Sequence, residues 1–296
     1  YTKSLLNKII YRLGISKIES KIQKIIKAEI LEYNPKTVLV FKGMEIQPQT
    51  LQWIKFKGIK VLNYNPDSPF IFSGRGSGNK NVTNSLSLFD YYITYDKAIN
   101  KELVNRSVKS AIIPFGFDWS GFNYIELEEK DEVFKLCFLG NADKFRIDFL
   151  EQIAQKGVKI DVYGENWSDC KLHENISTFG PKYGAEFWEI LQKYALQLNL
   201  LRPHNLNSHN MRSFDIPGAG GIMLAPRTPD HQTYFKEFAE VFLFSDVNEA
   251  HKHIQLILNL SFSERNEIRQ AARLKAKEYH TYTHRTLQLV NYLDVQ

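Results

Sequence analysis

One segment of the sequence, residues 199–225, gathers polar side chains and glycines between two apolar runs. Within it, Arg212 and Asp215 lie three residues apart at the start of a predicted helix, so their side chains share a helix face. A helix N-terminus offers free backbone N–H groups and a partial positive charge, which suit a phosphate. An arginine adds a planar set of donors for the same phosphate, and a carboxylate one turn further on can accept hydrogen bonds from a ribose hydroxyl. The segment therefore predicts a site for a nucleotide.

The residues on either side of this helix start extend the candidate site. The preceding loop supplies polar candidates, of which His204 and His209 are the histidines best placed to contact a substrate. The turn after the helix is rich in glycine, which lets the backbone turn tightly and approach a ligand. These further candidates are Asn205, Asn207, Ser208, Asn210, Ser213, Gly218, Gly220 and Gly221.

Strands and helices alternate along the chain, which predicts parallel sheets covered by helices on both faces. An acidic stretch without apolar periodicity at 122–132 predicts a boundary between two α/β domains, 1–125 and 126–296. The last helix either stays in the second domain or crosses back to the first. The run 37–41 predicts a strand buried on both faces, and the glycine-rich stretch 73–85 predicts a loop. Since open α/β sheets bind ligands at the carboxyl ends of their strands, the candidate residues are sought there.

Composition and charge exclude several classes of protein. The chain has 296 residues, of which 43% are hydrophobic, so disordered, collagen-like and coiled-coil proteins are excluded. The net charge of +5 is concentrated in residues 1–35, and the remainder carries only about +1. That is too little for a dedicated nucleic-acid surface. The two cysteines have no zinc-type spacing around them, and no apolar run reaches membrane-spanning length, which favours a cytoplasmic location.

Residues 210–221, N-M-R-S-F-D-I-P-G-A-G-G, resemble the N-M-R-T-F-E-I-P-A-C-G-G signature of the CgeB-like (spore maturation protein-like) glycosyltransferases of the GT-B superfamily. Asp215 stands where that family usually has Glu. Similar pieces occur in the same order along the chain. They are 65–70 (N-P-D-S-P-F), 138–141 with Arg146, 162–167 (V-Y-G-E-N-W), 235–249 and 280–285.

The resemblance implies a GT-B fold, in which two Rossmann-like domains face each other across a cleft. It also implies a nucleotide-sugar donor, held mainly by the C-terminal domain without a required metal. By position, Arg212 would meet the diphosphate and Asp215 the ribose. Asp67 would face the acceptor as a catalytic base or binding group, although it could equally cap a turn. His204 joins Asp67 and Arg212 as a catalytic candidate. The remaining donor-site assignments are Gly140, Asn141 and Arg146 for the phosphates and Tyr163, Gly164 and Trp167 around the base, with Asn205, Asn210, Ser213, Gly218, Gly220 and Gly221 completing the site.

The expected protein is a hexosyltransferase-like enzyme that moves a sugar to a glycan, lipid-linked or protein acceptor in bacterial surface polysaccharide or glycoconjugate synthesis. A nucleotide-sugar epimerase of the same architecture and a non-catalytic binding relative are the alternatives. The basic helical segment 2–32 has two interpretations. Its isoleucine face packs on the first sheet, or its lysines hold it near anionic lipid at the inner face of the membrane.

Overall fold

The computed structural model describes residues 17–70, 79–118, 122–202 and 207–294. The chain forms two compact units, Tyr1–Pro114 with Gln288–Gln296, and Phe115–Leu287. The units change between residues 114 and 115, whereas the acidic stretch places the predicted domain boundary between 125 and 126. The last helix contributes its final residues to the first unit. No helix in the described part of the chain is long and apolar enough to span a membrane.

The first unit contains one parallel sheet in the order β1-β2-β3-β4. Leu62, Ile93, Ala111 and Ile113 form a buried cluster on the sheet, against which the end of the last helix packs. The elements are α1 (Lys17–Tyr33), β1 (Thr37–Phe41), α2 (Pro48–Phe56), β2 (Lys60–Asn65), α3 (Lys80–Ser85), β3 (Tyr91–Thr94), α4 (Lys97–Asn105) and β4 (Ser110–Ile112).

Two predictions for this unit are wrong in detail. Strand β1 is not buried on both faces, because among the described strands it pairs only with β2 and Phe41 is 70% exposed. The stretch 73–85 is not all loop, since Lys80–Ser85 forms α3. That helix starts because the Asn79 side chain accepts a hydrogen bond from the Val82 N–H at 3.1 Å.

Helix α1 buries a mixed face, formed by Glu19, Gln23 and Ile30, rather than a face of isoleucines alone. Gln23 is buried because its amide group donates to the Glu45 carbonyl at 2.8 Å and accepts from the Gln47 N–H at 3.1 Å. Ile18 and Ile25 are about half exposed. The prediction that the isoleucines pack on the sheet is therefore wrong for these two residues.

The second unit contains a six-stranded parallel sheet in the order β10-β9-β8-β5-β6-β7. Sequence patterns did not predict β7 or α8. The elements are β5 (Val133–Leu139), α5 (Lys144–Ala154), β6 (Ile160–Tyr163), β7 (Ile176–Phe179), α6 (Gly184–Lys193), β8 (Tyr194–Leu198), α7 (Arg212–Ala219), β9 (Met223–Pro226), α8 (Pro229–Tyr234), β10 (Val241–Phe244), α9 (Val247–Asn259), α10 (Phe262–Tyr279) and α11 (Tyr282–Asp294).

The order of these strands creates a topological switch point. The chain runs outward from β5 to β6 and β7, then returns to β8 on the other side of β5 and continues to β9 and β10. This is the doubly wound order in which ligands bind between the two central strands at their carboxyl ends. Strands β5 and β8 pair with Phe138 opposite Leu198, so the turns that begin at Gly140 and Asn199 flank the switch point.

A buried charge cluster ties β5 to α10 within this unit. The Glu132 carboxylate accepts hydrogen bonds from Arg265 and Arg269, and all three side chains are at most 5% exposed. Burial alone would raise the pKa of Glu132, but the hydrogen bonds from the two arginines outweigh it and lower the pKa.

Candidate functional site

Arg146 bridges the two turns at the switch point. Its helix α5 begins where the Asp143 side chain accepts the Arg146 N–H at 3.0 Å. The guanidinium group donates to the Asn141 carbonyl at 2.9 Å, after β5, and to the Leu200 carbonyl at 3.4 Å, after β8. The sequence-predicted residues Gly140, Asn141 and Arg146 therefore come together at the switch point, where Arg146 is buried and Asn141 is exposed.

The charges of two other arginines act on Arg146. Burial lowers the pKa of Arg146, Asp143 opposes that effect, and the charges of Arg202 and Arg212 lower the pKa further. The Nε atom of Arg212 is buried and donates to no acceptor in the described ranges, whereas that of Arg146 lies 3.4 Å from the Asp143 carboxylate. Positive charge and an unused donor at a switch point suit an anionic ligand such as a diphosphate.

The turn after β5 is held against the turn after β6. Gly164 has φ +156°, and a Cβ there would lie 2.2 Å from the Gly140 carbonyl oxygen, so the close approach requires glycine. The Trp167 indole N–H donates to the same oxygen at 2.9 Å, and the ring is 3% exposed. Trp167 therefore supports the Gly140 turn, and its buried ring offers no stacking surface for a nucleobase.

The side chain of Tyr163, also predicted beside the base, makes its contacts within the second unit. Its ring stacks on Phe179 with 4.8 Å between centroids. Its hydroxyl lies 2.8 Å from that of Tyr194, which donates to Asp161 at 2.8 Å. Lys135 completes this chain by pairing with Asp161 at 3.0 Å. The side chains of Tyr163 and Trp167, both predicted around the base, are therefore occupied by contacts within the protein. Gly164, the third residue predicted there, has no side chain.

Arg212 and Asp215 form the predicted pair on α7. Arg212 Nη1 donates to Asp215 Oδ2 at 2.7 Å, and the guanidinium group lies 4.2 Å from the centroid of the Phe187 ring. Burial raises the pKa of Asp215 to about 6, against the opposing effect of Arg212, and the charge of Asp118 adds to the rise. The Arg212 side chain is 34% exposed and so remains open to a ligand.

A network of buried polar side chains holds the first turn of α7. Asn210 accepts the Ser213 N–H at 3.0 Å, and its amide group donates to Asn199 at 2.9 Å. Ser213 Oγ in turn lies 2.8 Å from His231 Nε2, and His231 Nδ1 lies 2.7 Å from the Pro226 carbonyl. Burial lowers the pKa of His231 to about 4, so the imidazole is neutral at neutral pH. Asn210 and Ser213 are among the predicted site residues, whereas Asn199 and His231 follow strand ends but belong to no motif that would identify them.

His209 is a structural residue and is not placed to contact a substrate, contrary to the prediction. It is fully buried, and its Nε2 accepts the Phe115 N–H at 3.3 Å. Its Nδ1 therefore carries the proton and donates to Asp230 at 2.8 Å, while Ser208 donates to the same carboxylate at 3.0 Å. His204 and Asn205 lie outside the described residues.

The glycines in the last turn of α7 and just after it pack against protein. A Cβ on Gly218 would lie 2.4 Å from the Phe117 ring, and one on Gly221 would lie 2.6 Å from the Leu191 carbonyl oxygen. Gly220 ends the helix with φ +86°. All three residues are buried at the end of α7 opposite to Arg212. Their small size is thus explained by helix packing, not by the predicted approach of the backbone to a ligand.

Asp67 lies in the first unit, at the end of β2. Its carboxylate is exposed and pairs with Lys42 at 2.6 Å. Its N–H donates to the Asn65 side chain at 3.0 Å, so Asn65 caps this turn rather than Asp67. Lys42 thus engages one of the two carboxylate oxygens, and the side chain stays exposed.

One cluster in the described residues has the composition of a metal site. A ligand atom from each of Glu237, Glu249 and His253 lies within 4.8 Å of the others. Arg227, however, donates to both carboxylates, and these contacts raise its pKa. A cation entering this cluster would have to displace a guanidinium group, so the donor set fits an ion-pair network better than a metal.

A family of proteins described as glycosyl transferase-like matches residues 146–291 of the chain. The matched region begins at Arg146 and includes α7 with Arg212 and Asp215. No curated protein matches the sequence.

The chain has the GT-B fold of several solved glycosyltransferase structures. HepE of Anabaena, in complex with UDP-glucose, is similar with a TM-score of 0.68 at 11% identity, over 96% of this chain and 83% of HepE. Sucrose-phosphate synthase of Thermosynechococcus elongatus has a TM-score of 0.64 at 12% identity, over 94% and 78% of the two chains. TarM of S. aureus, with fondaparinux, α-GlcNAc-glycerol and UDP, has 0.56 at 14% identity, over 83% of this chain and 54% of TarM. The fold is therefore shared with these structures, and the glycosyl transferase-like match covers just under half of the chain.

Proposed function

We propose that this protein transfers a sugar from a nucleoside diphosphate sugar to a hydroxyl-bearing acceptor. The observation that carries the proposal is that Arg146 bridges the two turns at the switch point of the second unit. The start of α7, which carries Arg212, is tied to the second of these turns by the hydrogen bond from Asn210 to Asn199. HepE, which shares the fold, was solved with UDP-glucose. The glycosyl transferase-like match over this region supports the same reaction class.

The reaction requires charge stabilisation at the bond of the sugar donor that breaks. As the bond between the sugar's anomeric carbon and the diphosphate oxygen breaks, negative charge grows on the diphosphate and positive charge on the sugar. Arg212 and Arg146 would bind the departing diphosphate, with donors already in place before the reaction. Because fixed guanidinium charge supplies this stabilisation, the proposal includes no metal. Asp215 would accept a hydrogen bond from the ribose, and Asp67 would receive the acceptor's proton.

The acceptor is proposed to be a glycan, a lipid-linked sugar or a glycosylated protein of a bacterial surface polysaccharide or glycoconjugate. The TarM structure similar to this chain holds carbohydrate ligands. Helix α1 presents Lys17, Lys21 and Lys24 on an outward face beside the half-exposed Ile18 and Ile25. Such a face suits contact with anionic lipid at the inner surface of the membrane, in the cytoplasm.

The test is calorimetric titration with UDP, GDP, dTDP and CMP, for the wild type and for Arg212→Ala. We expect one diphosphate to bind, and Arg212→Ala to weaken it by about tenfold to a hundredfold, the value of a charge-assisted hydrogen bond. Arg106→Ala is the matched control, since Arg106 lies in the first unit and forms an exposed ion pair with Glu102. It should leave binding unchanged.

Each contrary result points to a different alternative. Failure of all four nucleotides to bind would favour a non-catalytic relative that binds glycan. Unchanged affinity in Arg212→Ala would refute the phosphate assignment. An epimerised sugar, found after incubating UDP-N-acetylglucosamine without acceptor, would show an epimerase and refute the transferase.

A further inference from the structure

The first turn of α7 depends on a histidine from another element. Ser213 Oγ accepts hydrogen bonds from the Asn210 N–H at 3.1 Å and from the Asn199 amide group at 3.2 Å. Both lone pairs of this hydroxyl are thus used, and it has one proton left to donate. His231 Nε2 lies 2.8 Å away and Asn210 Oδ1 3.2 Å away, so the histidine is the closer acceptor.

The tautomer of His231 is consistent with donation from the Ser213 hydroxyl to Nε2. Its Nδ1 lies 2.7 Å from the Pro226 carbonyl, which can only accept, so Nδ1 carries the proton. Nε2 is then the free acceptor for Ser213. The His231 N–H is itself fixed by the Thr228 hydroxyl at 3.0 Å, which caps α8. The imidazole therefore connects the carboxyl end of β9 to the helix that carries Arg212.

We propose that His231 is a positioning residue that fixes Arg212 at the phosphate site by accepting the Ser213 hydroxyl proton. Ser213 directly follows Arg212, so the backbone that carries the guanidinium group moves with it. Ser213 and His231 are fully buried and Asn199 is 2% exposed, so water cannot replace a lost partner. This inference rests on the proposed function, because it takes Arg212 as a diphosphate ligand.

Two substitutions of His231 distinguish the roles of its two imidazole nitrogens. In His231→Gln, the side-chain oxygen can occupy the place of Nε2 and still accept from Ser213. In His231→Asn, the shorter amide can donate to Pro226 as Nδ1 does, but it cannot reach Ser213. We expect His231→Asn to weaken UDP binding about tenfold, the value of about one hydrogen bond, while His231→Gln stays within about threefold of the wild type. Uridine, which lacks the diphosphate, should bind all three proteins alike.

The ratio of the uridine Kd to the UDP Kd is the readout, since general loss of packing would weaken both ligands together. His253→Asn is the control for destabilisation, because His253 is a buried histidine of α9 outside this network. It should lower the melting temperature and leave the ratio unchanged. GDP with guanosine, or dTDP with thymidine, replaces the uridine pair if the wild type binds that base instead.

A double-mutant cycle completes the test. If His231 acts through Arg212, His231→Asn should have no further effect on the ratio in the Arg212→Ala background. Additive losses, an unchanged ratio in His231→Asn, or a loss in His231→Gln as large as in His231→Asn would each overturn the inference. If Arg212→Ala itself leaves the ratio unchanged, the proposed function is what fails.

Discussion

Replacement of Asp215 by asparagine should stabilise the protein relative to the wild type, and this difference in stability should grow as the pH rises from 4 to 7. Burial raises the pKa of this carboxyl from 3.8 to about 6 in the folded protein. A raised folded-state pKa means that the fold prefers the protonated carboxyl. The stability that protonation gives is complete below about pH 4 and is lost as the pH passes through 6. The amide introduced by Asp215→Asn does not titrate, so the variant escapes this loss.

The size of the effect follows from the shift in pKa. The rise of the Asp215 pKa from 3.8 to about 6 corresponds to at most ~3 kcal/mol between pH 4 and pH 7. The pair with Arg212 is already included, because that arginine lowers the Asp215 pKa against the larger effect of burial. For a protein of this size, ~3 kcal/mol corresponds to a difference in melting temperature of roughly 6–12 °C.

The assay is urea denaturation of the wild type and Asp215→Asn at pH 4.5, 5.5, 6.5 and 7.5. Buried His231 and His280 also titrate in this range, because burial lowers their pKa values to about 4. A lowered histidine pKa gives stability that is lost as the pH falls, opposite to the effect of Asp215. The histidines are present in both proteins, so the difference between the two free energies of unfolding isolates Asp215.

Asp148→Asn serves as the control, since Asp148 is exposed on α5. Because Asp148 is exposed, its replacement should change the free energy of unfolding by at most ~0.5 kcal/mol. A difference for Asp215→Asn that stays flat with pH would refute the reasoning that this carboxyl is destabilised by burial, and so would a difference that falls as the pH rises.

Two further substitutions test how the second unit is held together. Gly218→Ala should destabilise the protein by ~1–3 kcal/mol, because the new methyl group overlaps the Phe117 ring; a lost affinity for nucleotide with unchanged melting temperature would instead indicate a glycine that approaches the ligand. Glu132→Gln should destabilise it by ~3–5 kcal/mol at pH 7, since it leaves Arg265 and Arg269 buried without a compensating charge. Urea denaturation should show this difference shrinking as the pH falls and the wild-type Glu132 is protonated, and a difference that grows would contradict the lowered pKa.

The alternation of apolar runs and helical patterns was enough to predict two α/β units with parallel sheets. Strands such as β3 and β10 are short apolar runs bounded by polar residues, so their type follows from local sequence. Strand β7 was missed because three of its four residues are exposed and it lies at the sheet edge, where apolar residues are not required. Helix α1 was misjudged because burial of Gln23 depends on hydrogen bonds to a distant loop, which periodicity cannot reveal.

The residues of the candidate site also differ in whether the sequence could identify them. Arg146, Arg212 and Asp215 were identifiable because each lies at a strand end or helix start within a motif. His231 and Asn199 were not, since their importance comes from contacts with Ser213 across several strands. Trp167 and Gly218 belong to matching motifs, yet their surroundings show that a motif residue can serve packing instead of ligand binding.

The central claim is that the switch point of the second unit binds the diphosphate of a nucleotide sugar. A crystal structure after soaking with UDP, GDP, dTDP and CMP tests it most directly. We expect one nucleotide at the carboxyl ends of β5 and β8, with its phosphate oxygens within hydrogen-bond distance of the Arg212 guanidinium group and the first turn of α7. A nucleotide bound elsewhere, or phosphates directed away from Arg212, would contradict it.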